Sequence, residues 1–207
     1  YVLDSTPVSF DVTEENSTQE GGITLIKVDK PNMAQKGTIS VEKTGEVFFG
    51  VNVSGEEDED VIYQPVYKVK GLAGAVYEIT ADEDVITPDG TLRYHKGDVV
   101  DTVTTDEDGT AKSKELYLGK YNVVETKAPT GMVINKEKHL VELTYAGQDV
   151  AVTETATSFV NERQKVKISL EKILEQDEIF GIGKNNEIKN ISFGLYAKED
   201  VVSSSGT

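Results

Sequence analysis

The sequence predicts an all-β fold, an antiparallel β-sandwich in tandem array, and three observations predict it. Short runs rich in Val, Ile, Thr and Tyr recur at 38–43, 61–70, 75–80, 99–105, 121–125, 139–145 and 150–160, the composition that suits a pleated, half-buried surface. Turn signals lie between them, among them Pro88-Asp89-Gly90, Asp108-Gly109, Pro129-Thr130-Gly131 and Ala146-Gly147, and no long helical period interrupts the spacing. The third observation is an internal repeat, which sets the architecture of the chain.

Asn32-Met33-Ala34-Gln35-Lys36-Gly37-Thr38-Ile39-Ser40-Val41-Glu42-Lys43 aligns without a gap on Asn161-Glu162-Arg163-Gln164-Lys165-Val166-Lys167-Ile168-Ser169-Leu170-Glu171-Lys172. Upstream, Tyr1-Val2-Leu3-Asp4 matches Met132-Val133-Ile134-Asn135. Downstream, Tyr77–Ala81 and Asp84-Val85 match Phe193–Ala197 and Asp200-Val201. The expected organisation is therefore the tail of one module (1–32), a complete module (33–163) and the head of a third (164–207), a window on a longer array. Tyr1 then falls inside a repeat, and the lack of a leader sequence says nothing about secretion. Glu46 to Lys70 reads as an insertion, because the third module reaches its matching strand in fewer residues. A helical turn near 111–116 is compatible with the pattern but not required by it.

Composition narrows the function. The formal charge is −16, with no cysteine and no tryptophan. Disulfides and thiolate metal sites are thus excluded, and an excess of acid argues against nucleic acid, whose phosphates call for lysine and arginine. Hydrophobic content of 37% supports a core, but no apolar run approaches the length of a membrane span. No cofactor is implied.

Side chains alternate between faces along a strand, and this places polar groups where apolar ones are expected. Ile39, Val41 and Lys43 share a face, as do Ile168, Leu170 and Lys172. Tyr121, Val123 and Glu125 share another, and Phe159 shares one with Asn161. Lysine, glutamate and asparagine thus end inward rows on the first, a middle and the last strand of one module. If the first and last strands lie side by side, an amine meets a carboxamide beside a carboxyl group. Burial disfavours charge on the amine and the carboxyl. A neutral Lys43 is a nucleophile, and a protonated Glu125 hydrogen-bonded to the Asn161 carbonyl can polarise it and shuttle protons. Ammonia leaves, and an isopeptide bond joins the two side chains. Periodicity alone leaves the alternative open: a rim ion pair worth under ~1 kcal/mol.

Leu116, Gly119, Tyr121, Glu125, Ala128, Pro129 and Gly131 spell L-x-x-G-x-Y-x-x-x-E-x-x-A-P-x-G. This resembles the glutamate segment of the Cna B-type, pilin-like isopeptide domains of Gram-positive cell-wall surface proteins. Gly71–Tyr77 is similar to that family's second-strand signature, G-x-x-F, in looser form. Thr105–Gly109 resembles its hairpin before the glutamate strand, and Phe159-Val160-Asn161 its closing F-x-N. The resemblance implies a prealbumin- or immunoglobulin-like sandwich with Lys43 as donor, Asn161 as acceptor and Glu125 as catalytic acid/base. It also implies Lys172 and Asn32 as the flanking modules' equivalents. Met132 departs from the family's tyrosine after A-P-x-G, a place held by Tyr1 in the preceding module. Asp29-Lys30-Pro31 replaces the F-x pattern before Asn32 and makes Asp29 a second candidate acceptor there.

Two functions follow from these readings. One is a structural stalk or pilin shaft, extracellular and anchored to the cell wall through a region outside this sequence, with neighbouring repeats as its partners. The other is an adhesin module gripping a host extracellular ligand, a protein or a glycan. Its only candidate patch is the insert with Val47, Phe48, Phe49 and Val51, whose adjacent phenylalanines fit an edge strand packed on both faces. The acidic run Glu56–Asp60 lacks the spaced ligands and glycine of a calcium loop. His95 and His139 lie far apart, and no constellation suggests an enzyme acting on an external substrate.

Overall fold

The computed structural model describes residues 1–55, 61–173, 179 and 191–201. Thirteen strands and no helix occur among them: β1 (Ser17–Glu20), β2 (Ile23–Ile26), β3 (Lys36–Ser54), β4 (Ile62–Gly71), β5 (Val76–Ala81), β6 (Val85–Ile86), β7 (Leu92–Tyr94), β8 (Val99–Thr104), β9 (Thr110–Lys112), β10 (Leu116–Tyr117), β11 (Gly119–Lys127), β12 (Lys138–Leu143) and β13 (Val152–Asn161). All seven strand runs read from the sequence are present. The short strands β6, β7, β9 and β10 were missed because two or three residues carry no period. The segment around 111–116 holds β9 and the start of β10 instead of a helical turn. Thr110–Lys112 finds a ladder on Glu42–Ser40, and that pairing satisfies the backbone without a helix.

Two sheets face each other. One contains β10, β3 and β13, with β4 and β9 also pairing along the long β3; the other has the order β12-β11-β5-β8. Alternation drives the packing. In β5, Tyr77, Ile79 and Ala81 point inward, and in β11 Tyr121, Val123 and Glu125 do the same. These rows meet Ile39, Val41, Leu116 and Phe159 from the opposite sheet in one core. The sandwich is antiparallel except for one pair: β13 lies parallel to β3, with Val152 opposite Lys36 and Asn161 opposite Gly45. First and last strands are therefore adjacent, and the chain enters and leaves the module at opposite ends.

The insert is a two-stranded ribbon. Beyond Gly45, β3 continues to Ser54 and returns as β4. Phe49 is an extra residue in a β-bulge between Phe48 and Gly50. The two phenylalanines take opposite faces, but not of a packed edge strand. Phe48 meets the Tyr67 ring edge-on at 6.3 Å, whereas Phe49 is 55% exposed beneath the Lys68 amine. The acidic run Glu56–Asp60 falls outside the described residues.

The flanking segments differ from the expected strand pattern. Residues 164–173 contain no strand, and Ile168 and Leu170 are exposed instead of buried. No described strand lies beside them, and an apolar row without a facing sheet has nothing to bury against. Before the module, β1 and β2 form an isolated hairpin.

Candidate functional site

Three strands carry one polar cluster into the core. β3 supplies Lys43 at the end of the row Ile39, Val41; β11 supplies Glu125 after Tyr121 and Val123; β13 supplies Asn161 after Phe159. All three side chains are buried, and Lys43 is 0% exposed. The parallel register sets Phe159 against Lys43 and Asn161 two residues further on, within reach of a lysine leaning along its strand. The Lys43 Nζ lies 3.0 Å from Glu125 Oε1 and donates to the Asn161 Oδ1. The Asn161 Nδ2 donates to both Glu125 oxygens, at 3.0 and 3.1 Å. A third donor, the backbone N–H of Asn135, reaches Glu125 Oε2 at 2.6 Å.

The surroundings are apolar and aromatic. Lys43 Nζ sits 5.9 Å from the Tyr77 ring centroid and 5.8 Å from that of Phe159. Phe159 is tilted against Tyr77 at 4.8 Å and stacked on His139 at 3.9 Å. Burial pulls the Lys43 amine below its ordinary value of 10.5, against the opposing hydrogen bond and charge of Glu125. An amine that gives up its proton more readily is a better nucleophile. Burial and the Glu125 charge together push the Tyr77 hydroxyl well above its usual range, so it stays neutral.

The backbone of Lys43 is fixed by the turn at 106–109. Its N–H donates to the Gly109 carbonyl at 2.7 Å, and its own carbonyl accepts from Leu72 N–H at 2.9 Å. Gly109 adopts φ +79°, and a Cβ there would stand 2.3 Å from the Lys43 carbonyl oxygen. The facing Gly71 is equally tight, since its Cβ would fall 1.9 Å from the Asp108 oxygen. Only glycine fits these two close approaches.

Structure and sequence differ on one point of the chemistry. Glu125 was expected to hydrogen-bond the Asn161 carbonyl; instead it accepts from the amide nitrogen, while Lys43 faces the carbonyl oxygen. A carboxylate that already accepts from Nζ, Nδ2 and the Asn135 N–H satisfies three donors, and a carbonyl could give it none. The arrangement can move a proton from the attacking nitrogen to the departing one. Nζ adds to the Asn161 carbonyl carbon and passes a proton to Glu125. Glu125 returns a proton to Nδ2, the Cγ–Nδ2 bond breaks, and ammonia departs. Atoms balance without a cofactor.

Lys172, Asn32 and Asp29 are exposed and apart from this cluster. The sequence reading also missed three contributors. The inward alternation of β5 reveals Tyr77, but the Asn135 N–H and the His139 ring depend on loop path and sheet stacking, which no period encodes.

A buried amine, carboxylate and carboxamide between the first and last strands of a sandwich are the arrangement that the resemblance to prealbumin-like, Cna B-type modules leads one to expect. Residues 66–157, less than half of the chain, match the family model of the SpaA prealbumin-like fold domain. The match includes Glu125 and lies between Lys43 and Asn161. Solved structures of similar fold include the minor pilin GBS52 of Streptococcus agalactiae (17% identity, TM-score 0.41, covering 67% of this chain and 49% of that one). The major pilin SpaD of Corynebacterium diphtheriae is 21% identical (TM-score 0.39, 65% and 32%). BcpA, the major pilin subunit of Bacillus cereus, is 23% identical (TM-score 0.36, 63% and 29%). The chain thus spans half or less of each of these proteins. No curated protein sequence matches it.

Proposed function

We propose that residues 33–163 are a load-bearing module of a Gram-positive pilin or cell-wall-anchored surface protein, closed by an autocatalytic isopeptide bond between Lys43 and Asn161. Glu125 is the acid/base, and the reaction occurs once per molecule without an external substrate. The observation that carries this reading is the contact itself: a fully buried amine on the carboxamide it would attack, both touching one carboxylate. An ion pair kept only for stability has no need of the amide, and burying two charges for such a pair gains little over apolar residues. Held contact of this kind supplies roughly 7–11 kcal/mol of a barrier.

In this reading residues 1–32 and 164–207 belong to the preceding and following modules, with Asn32 and Lys172 as their acceptor and donor. Entry and exit at opposite ends of the sandwich suit head-to-tail stacking. The array lies outside the cell; among the described residues, no helix is long and apolar enough to cross a membrane.

Intact mass of the 207-residue chain beside its Lys43→Ala variant tests the bond. The parent should weigh one ammonia less than its sequence and the variant its full calculated mass. A parent of full calculated mass under folding conditions refutes the proposal.

A further inference from the structure

The ribbon formed by β3 and β4 is not used by the bond, and its geometry gives it a partner. Because β13 runs parallel to β3, both strands point the same way where they part at Gly45 and Asn161. β3 goes on through nine more residues, Glu46 to Ser54, a projection of roughly 30 Å at ~3.3 Å per residue. The outgoing chain heads along the same side, held to Gln164 by a short ladder. Val133 N–H donates to the Glu162 carbonyl and Gln164 N–H to that of Gly131, each at 2.8 Å. Arg163 tethers it to the ribbon, pairing with Glu46 at 2.9 Å and covering the Tyr67 ring at 3.5 Å.

Between ribbon and exit lies a groove of about 620 Å³, walled by Phe48, Val51, Tyr63, Tyr67 and Met132. The bulge creates its apolar side. Phe48 faces Tyr67, and after the extra Phe49 the register restarts with Val51 opposite Pro65 and Val53 opposite Tyr63. One inserted residue reverses the parity of the strand. With regular alternation instead, Val51 and Val53 would share the face of Phe49 and Lys68, and the groove would lose Val51 from its wall.

We infer that this groove is the seat of the chain that follows Gln164, and that the ribbon is a strut fixing one module against the next. Two observations select that occupant. Arg163 and Gln164 of the exit segment form part of the groove wall, so the following residues start at its edge. Val201, from the far part of that segment, also lines the groove. The segment brings matching chemistry, since Val166, Ile168, Leu170, Leu195 and Tyr196 are exposed and uncovered. The inference adopts the reading of 164–207 as the head of a following module, but not the isopeptide bond.

Hydrogen–deuterium exchange on the full chain tests it, with the double variant Val51→Asp/Tyr63→Ser on the groove side of the ribbon. Amides of residues 165–173 should be protected in the parent. In the variant they should exchange roughly tenfold faster or more, while 119–127 is unchanged. Unprotected 165–173 in the parent, or protection that the variant leaves intact, overturns the inference and returns the groove to an external ligand. Protection that disappears on dilution assigns the groove to a second copy, which also overturns it. The ammonia deficit, read from the same sample, reports on the bond independently.

Discussion

Replacing Glu125 with glutamine separates the proton shuttle from the packing of the site. The side chain keeps its shape and its place beside Asn161 but cannot carry a proton from Nζ to Nδ2. The variant should therefore retain its full calculated mass. Lys43 and Asn161 are 118 residues apart. Closing a loop of that length removes about 5 kcal/mol of chain entropy from the unfolded state, by analogy with a disulfide. For a module of about 130 residues the unfolding entropy is near 0.27 kcal/mol/K, which converts the loss into a Tm lower by roughly 15–20 °C. Scanning calorimetry alongside intact mass is the assay. A Glu125→Gln protein that still loses ammonia refutes the shuttle. One that keeps its ammonia but melts within about 5 °C of the parent refutes the entropic account.

Two further perturbations address the same site. In Asn161→Leu no bond can form, and Lys43 keeps a folded-state pKa below its ordinary 10.5. The unfolded chain then binds more protons than the folded one between the two values, so stability should rise with pH across that window and level off above about 10.5; urea midpoints that fall as pH rises there would contradict this. Gly109→Ala forces a Cβ to within 2.3 Å of the Lys43 carbonyl oxygen at φ +79°, and should cost about 2 kcal/mol or more and slow the loss of ammonia after refolding, measured by mass against time.

How much of this was legible in the sequence depends on which distances a residue pattern can encode. Alternation placed Lys43, Glu125 and Asn161 on inward faces, because side-chain direction is a local property of a strand. That β3 and β13 are neighbours came from the resemblance and from fold logic; their parallel register, which brings the Lys43 amine to the Asn161 oxygen, was not readable. The Asn161 atom that meets Glu125 was misjudged for a related reason. A single amide rotation exchanges oxygen for nitrogen, and only the full set of donors around the carboxylate decides it. The ribbon was visible as an insertion, yet its bulge was not, since Phe48-Phe49 looks the same whether the extra residue exists or not. His139 was set aside because it lies far from His95 in the sequence, whereas the fold lays its ring on Phe159.

The position of the proposed bond along the two terminal strands predicts how the module would bear force. Tension enters at Lys36 and leaves at Asn161, at opposite ends of a parallel pair, and would otherwise shear β3 past β13 and break their ladder all at once. The proposed covalent tie from Lys43 to Asn161 would reroute the load. It runs through the first eight residues of β3, crosses the bond and exits, leaving 44–160 slack. Single-molecule stretching of the full chain should then show no unfolding step from the sandwich in the parent. Lys43→Ala should release the whole 118-residue span, roughly 400 Å of contour at ~3.5 Å per residue. A step of that size in a parent that has lost its ammonia would mean that the bond lies elsewhere. Equal resistance in the two proteins would mean that the β3–β13 ladder, and not the covalent tie, carries the load.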